Sequence, residues 1–114
     1  MKRGTIILAP FPFTDLKSVK RRPAIIISKD DPNNKDVIIA FISSKVPSLP
    51  KETEFLLTKN HKDFLQTGLI KDSVFKLDKV VTIQKEIING ELGSASEIIM
   101  NEINKKLMIA LDLK

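Results

Sequence analysis

The apolar residues of this chain arrive in short β-branched runs, each closed by a proline or a turn cluster before a helical period could establish itself. Gly4 to Ala9 (GTIILA) stops at Pro10. Pro23 to Ser28 (PAIIIS) is closed by Lys29-Asp30-Asp31-Pro32-Asn33-Asn34. Val37 to Ser44 (VIIAFISS) is apolar on both faces, which predicts a buried central strand. Thr53 to Thr58, Leu69 to Leu77 and Lys79 to Gln84 have the same character. Branched side chains are stiff at χ1 and pack well on a pleated surface, so these runs are expected to be strands. Phe11 to Arg22 contains Pro12 and runs up to Pro23, Val46 to Lys51 contains two prolines, and both are expected to be loops. Asn60 to Gln66 is expected to form a helical turn or two stopped by Gly68. Asn89-Gly90 is a turn dipeptide of the kind found at hairpin tips.

The C-terminus differs. Ile99, Ile103, Leu107 and Leu111 recur every four residues, with Met100 and Ala110 widening the stripe and Asn101, Glu102, Asn104 and Lys105 on the other face. That is an amphipathic helix, and Ser94-Ala95-Ser96-Glu97 reads as its capping box with Ser94 as N-cap. The expected fold class is mainly β with helices (α+β): a small, strongly bent barrel or sandwich carrying one C-terminal helix. At 114 residues, positions 1–114 are expected to form a single domain.

Composition narrows the chemistry. There is no cysteine, which excludes a disulfide scaffold, a thiolate nucleophile and a cysteine metal site. His61 is the one histidine, so two-imidazole mechanisms and multi-histidine cages are excluded too. His61 sits among Lys59, Asn60 and Lys62 and reads as a surface residue, and Asp30, Asp31 and Asp36 read as turn formers rather than metal ligands. No serine lies in a Gly-x-Ser-x-Gly elbow, and there is no phosphate-binding Walker loop or dinucleotide fingerprint. No metal or cofactor is expected. No apolar run approaches the ~20 residues of a membrane span. Gly4 to Ala9 is too short for a signal-peptide core, so the expected location is cytoplasmic.

Nineteen Lys and Arg stand against 14 Asp and Glu, a net charge of +5 that invites a polyanionic partner, most simply nucleic acid. The densest cations are Lys17, Lys20, Arg21 and Arg22. The ordinary reading of such a cluster is a solvated loop. Arg22 stands apart because Pro23 pushes it toward extended geometry and suits the start of a strand. A guanidinium held rigidly there is a good phosphate clamp, its fork of donors matching two phosphate oxygens. Ser43 and Ser44 end the run VIIAFI, where hydroxyls emerge at the rim of a sheet. Taken alone, such a pair is a turn cap. Phe11 and Phe13 offer rings for base stacking, with core or dimer contacts as their alternative role; the absence of Trp and Tyr limits any stacking platform to Phe.

In their order, these segments resemble the MazF/PemK family of toxins, the endoribonucleases of type II toxin–antitoxin systems. The resemblance runs from Gly4 through FPFTDL to KRRPAIIIS, then VIIAFISS, then LIKDSVFKLDKVVTIQ, then the helix from Ser94 to Leu111. It departs in two places. Lys17-Ser18-Val19-Lys20-Arg21 replaces a glycine-rich loop with Glu-Gln, and Ser43 stands where the family usually has threonine.

The resemblance implies an SH3-like β-barrel with added helices, a homodimer, a cognate antitoxin as partner and metal-independent cleavage of single-stranded RNA. In that reaction the ribose 2′-hydroxyl attacks the adjacent phosphate, leaving a 2′,3′-cyclic phosphate and a 5′-hydroxyl. Arg22 would stabilise the phosphorane by a bidentate contact and Ser43 would donate to a non-bridging oxygen. Lys17, Lys20, Arg21 and Ser44 would hold flanking phosphates. Two other functions fit the same resemblance: a CcdB-like poison of DNA gyrase that cuts nothing, and a basic barrel that binds RNA without cleaving it.

Overall fold

A computed structural model describes residues 1–11 and 20–114. Six strands form a single antiparallel sheet: β1 (Thr5–Phe11), β2 (Lys20–Ile26), β3 (Asp36–Ser43), β4 (Glu54–Leu57), β5 (Ser73–Gln84) and β6 (Gly90–Ser94). Their order is β4-β5-β3-β2-β1-β6, and α1 (Glu97–Ala110) follows β6. The sheet curls into a half-barrel, so the expected mainly β body with a C-terminal helix is what the chain forms. Its two faces bury separate apolar clusters. One gathers Ile6, Ile25, Ala40, Ile42 and Phe75 under Ile99, Ile103 and Leu107 of α1. The other gathers Ile7, Ala9, Ala24, Ile26, Val37, Ile39 and Ile83.

Two prolines sit inside strands, contrary to the expectation that Pro10 ends β1 and that Lys20 to Arg22 belong to a loop. β1 runs on through Pro10, and Ala9, Pro10 and Phe11 pair with Arg22, Arg21 and Lys20. Backbone polar groups alternate sides along a strand, and the Leu8 carbonyl already faces β6, accepting from Asn89 N–H at 2.9 Å. The missing N–H of Pro10 therefore points the same way, past Gly90 where β6 pairing ends, and no ladder bond is lost. Pro23 follows the same logic with a different outcome. Ile27 N–H donates to Ile38 O on β3 at 2.9 Å, so the nitrogens of Ile25 and Pro23 also face β3. At Pro23 there is no proton to give, and β2–β3 pairing stops one residue earlier, at Ala24 with Phe41.

Other boundaries shift for tertiary reasons. Leu69 to Asp72 is not strand, and the two strands expected on either side of Asp78 are one strand, β5, with an irregularity opposite Ala40 and Phe41. The expected turn before Gly68 is a 3-10 turn over Leu65–Thr67, capped by Gly68 at φ 75°. Asn89-Gly90 is not a hairpin tip, because β6 crosses to pair with β1 instead of β5. The helix cap lies two residues beyond the expected one. Ser94 is held in β6 opposite Thr5, and Ser96 accepts from Ile99 N–H at 3.3 Å while donating to Asp63 at 2.7 Å. Leu111, expected on the buried stripe, lies past the helix end and is 54% exposed.

Candidate nucleic-acid interface

The site begins where β2 and β3 part. Beyond Ala24 and Phe41, the outer residues of β2 pair only with β1, while Ile42 and Ser43 pair only with β5. The sheet opens there like a Y, and cavities lie at the fork. One, of about 540 Å³, is lined by Lys20, Arg21, Arg22 and Pro23 of β2, by Ile42 and Ser44, and by Leu69 to Lys71 with Ser73. The other, of about 340 Å³, has Phe11, Arg22, Phe41, Ser43 and Lys45 on one side and Lys76, Lys79 and Val80 on the other. Arg22 and Ile42 belong to both.

Register explains why Arg22 and Ser43 meet. Ala24 sits opposite Phe41, so two residues further along each strand lie Arg22 and Ser43, on the same face of the sheet. They would be cross-strand partners if the ladder continued; with the ladder ended, they flank open space. The Arg22 guanidinium carbon lies 5.5 Å from the centre of the Phe11 ring, and Phe11 meets Phe41 edge-to-face at 4.8 Å. Arg22 Nε is shielded from solvent and has no hydrogen-bond partner among the described residues. A ring face and two short strand ends thus fix the guanidinium while its charge stays unspent.

Ser43 Oγ accepts from Lys45 N–H at 3.1 Å, the turn-cap contact expected of a serine in that place. An accepting hydroxyl still has its own proton to donate. Ser44 is exposed at the mouth of the larger cavity.

Charge is the dominant property of the fork. Seven cations line the two cavities: Lys20, Arg21, Arg22 and Lys71 in one, and Lys45, Lys76 and Lys79 with the shared Arg22 in the other. Among the described residues none of them forms an ion pair within 4 Å, and no carboxylate or imidazole lines either cavity. His61 lies elsewhere, its Nδ1 accepting from Asp63 N–H. Asp31 caps its own turn by accepting from Asn33 N–H. No group of three metal-ligating side chains occurs among the described residues.

Of the residues singled out from sequence, Arg22, Ser43, Lys20, Arg21, Ser44 and Phe11 come together at this fork. Phe13 and Lys17 lie outside the described residues. Lys45, Lys71, Lys76 and Lys79 went unnoticed in the sequence. Lys45 follows Ser43-Ser44 and Lys71 precedes Asp72-Ser73, whereas Lys76 and Lys79 have no such neighbour, and spacing along the chain does not place the four on one surface. No described helix is long and apolar enough to cross a membrane.

Comparison with known proteins points in one direction. The family model described as the PemK-like, MazF-like toxin of type II toxin-antitoxin systems matches residues 2–111. An "Endoribonuclease MazF" from Staphylococcus saprophyticus is 30% identical, the match covering 99% of this chain and 92% of that protein. Among solved structures, the chain is similar to an endoribonuclease in complex with its cognate antitoxin from a mycobacterial species (TM-score 0.77, 21% identity, 100% of this chain and 97% of that one). It is also similar to the Mycobacterium tuberculosis toxin MazF-mt6 (TM-score 0.74, 23% identity, 96% and 98%). A third is a MazE-MazF structure from Deinococcus radiodurans (TM-score 0.75, 18% identity, 100% and 97%).

Proposed function

The chain belongs to the PemK-like, MazF-like toxin family of type II toxin–antitoxin systems, and from that premise we propose that it is an endoribonuclease whose active site is the fork between β2 and β3. The observation that carries the reading is the unpaired charge: seven cations, Arg22 among them, gathered around Ser43 with no described acid lining the fork. A single-stranded polyanion is the ligand such a cleft favours.

The reaction suits these residues because the substrate brings its own nucleophile. The ribose 2′-oxygen forms a bond to phosphorus, and the bond from phosphorus to the 5′-oxygen breaks. The products are a 2′,3′-cyclic phosphate and a 5′-hydroxyl. The phosphorane between them carries added negative charge on its non-bridging oxygens. Arg22, held over Phe11, offers its fork of donors to two of them, and Ser43 donates its hydroxyl proton to one. A guanidinium stays charged near neutral pH, so Arg22 acts by charge and geometry rather than as a base. The proton leaving the 2′-hydroxyl and the proton taken up by the 5′-oxygen exchange with water in the open cleft. Lys20, Arg21 and Ser44, with Lys17, hold flanking phosphates.

The whole of residues 1–114 acts as one toxin domain in the cytoplasm, works as a homodimer and is restrained by a cognate antitoxin. The antitoxin complexes named for its structural relatives support that last part.

The test is incubation of the purified protein with long single-stranded RNA in EDTA, followed by end-group analysis, with Arg22→Ala beside it. Discrete EDTA-resistant cuts bearing cyclic-phosphate ends, lost in the folded variant, are the expected result. Intact RNA would overturn the reading, and gyrase supercoiling assayed with the same protein would then test the non-catalytic toxin.

A further inference from the structure

Lys76 and Lys79 present a geometric puzzle. They are three residues apart on β5, and in a regular strand residues three apart point to opposite faces. Both nevertheless line the smaller cavity beside Arg22 and Ser43. The reason is the irregularity in β5. Ala40 pairs with Val80 but its neighbour Phe41 pairs with Lys76, so β5 takes four steps where β3 takes one. The extra residues break the alternation. Leu77 turns fully into the core, and its N–H donates to Thr53 O, continuing the register with β4 while the pairing with β3 is interrupted. Asp78, the acid in this stretch, is drawn aside by Lys51 at 3.8 Å. What remains facing the cavity, among the described residues, is two ammonium groups and no counter-charge.

Bulges of this kind re-aim side chains and recur beside functional sites. Keeping two lysines on one wall without a partner costs free energy through mutual repulsion, which an anion between them relieves. We propose that Lys76 and Lys79 form a second phosphate grip, taking the phosphate next to the one held between Arg22 and Ser43. The inference rests on the ribonuclease reading for the identity of the polymer, and it adds that the substrate is gripped at consecutive phosphates along the wall of β5. An ammonium is a point charge with no preferred fork, so this grip contributes affinity and leaves the chemistry to Arg22.

Binding and turnover separate the two roles. The probe for binding is a short 2′-O-methyl oligonucleotide, which keeps every phosphate and lacks the nucleophile. Its affinity is measured by fluorescence anisotropy between about 50 and about 300 mM salt. The variants are Lys79→Gln, Lys76→Gln/Lys79→Gln, Lys79→Arg, and Lys106→Gln as a control away from the fork. The expected result is that the double variant lowers the slope of log affinity against log salt by about 0.7, the value of one lost phosphate contact on a single strand. Lys79→Arg keeps the wild-type slope, and so does Lys106→Gln.

In turnover, the double variant raises KM about tenfold on a pentanucleotide with kcat kept, as expected for lost uniform binding. On a dinucleotide, which has one phosphate, it matches wild type. An unchanged salt slope overturns the grip, as does an equal loss on both substrates. If Lys76→Gln does not fold, Lys79→Gln alone decides, since Lys79 is exposed. Wild-type protein that binds the methylated oligonucleotide but leaves the unmethylated one intact overturns the ribonuclease reading, while the slopes still decide the grip.

Discussion

Arg22 and Ser43 stand two residues beyond the last β2–β3 pair, on the face shared by Ala24 and Phe41, across the gap their own ladder would have closed. A cation and a hydroxyl proton are thereby offered to one space from two strands whose separation is set by the pairing just inside it. That arrangement makes the following outcomes expected.

Arg22→Lys keeps the charge and discards the fork. Removing a donor aimed at developing charge typically lowers kcat by about 10²–10³. Single-turnover cleavage of single-stranded RNA should fall by that order for Arg22→Lys and at least as far for Arg22→Ala. Circular dichroism of both should match wild type. A wild-type rate from folded Arg22→Lys would remove bidentate contact from the mechanism.

Ser43→Thr retains the hydroxyl and should cleave within a few-fold of wild type, whereas Ser43→Ala should lose at least about tenfold, roughly the value of one hydrogen bond made in the transition state. The Lys45 N–H loses its acceptor in Ser43→Ala as well. Thermal denaturation of wild type and both variants keeps the two effects apart: Ser43→Ala is destabilised by about 1 kcal/mol. Equal cleavage by serine, threonine and alanine would confine Ser43 to its turn.

Gly93 packs its bare α-carbon against the backbone of Gln66 and Thr67, where a Cβ would collide. Gly93→Ala should push that turn outward and carry the Leu69–Lys71 wall with it. The expected signature is a loss of stability of about 1–3 kcal/mol, as for other forced overpacking, together with weaker oligonucleotide binding. Urea denaturation and anisotropy on the same sample check it, and binding unchanged in a destabilised variant would dissociate the wall from the site.

Ile103 is fully buried beneath the sheet at the middle of α1. Ile103→Ala should cost about 2–5 kcal/mol in chemical denaturation. Cleavage per folded molecule should be unchanged, because α1 lines neither cavity at the fork. A fall in activity beyond the folded fraction would show that the helix reaches the site.

These outcomes draw on features that were unevenly legible in the sequence. The strands from Val37 and from Thr53 and the stripe Ile99-Ile103-Leu107 could be read because periodicity and branching are local. Lys20 to Arg22 resembled loop because three cations have no local reason to be strand; their reason is β1, to which they pair across a stretch of chain. Asp78 looked like a break because a charged residue interrupts two apolar runs, whereas the strand continues and absorbs it as an irregularity. Ser94 had as good a capping pattern as Ser96, and pairing with Thr5 decided between them. Arg22 and Ser43 could each be singled out by a neighbour: a proline for one, an apolar run for the other. That they face each other, and that Lys76 and Lys79 join them, depends on register, which no single segment contains.

Pro23 has a consequence for control. Antiparallel strands tend to zip, and an opening between two of them is ordinarily one state of an equilibrium that a regulator could bias. Here the next rung is missing for a covalent reason: the nitrogen that would supply it has no hydrogen. The first rung of that closure is half lost, so a state with β2 zipped onto β3 is disfavoured from the outset. Filling the opening is then the less costly way to silence such a fork, and release from it would be the departure of whatever fills it.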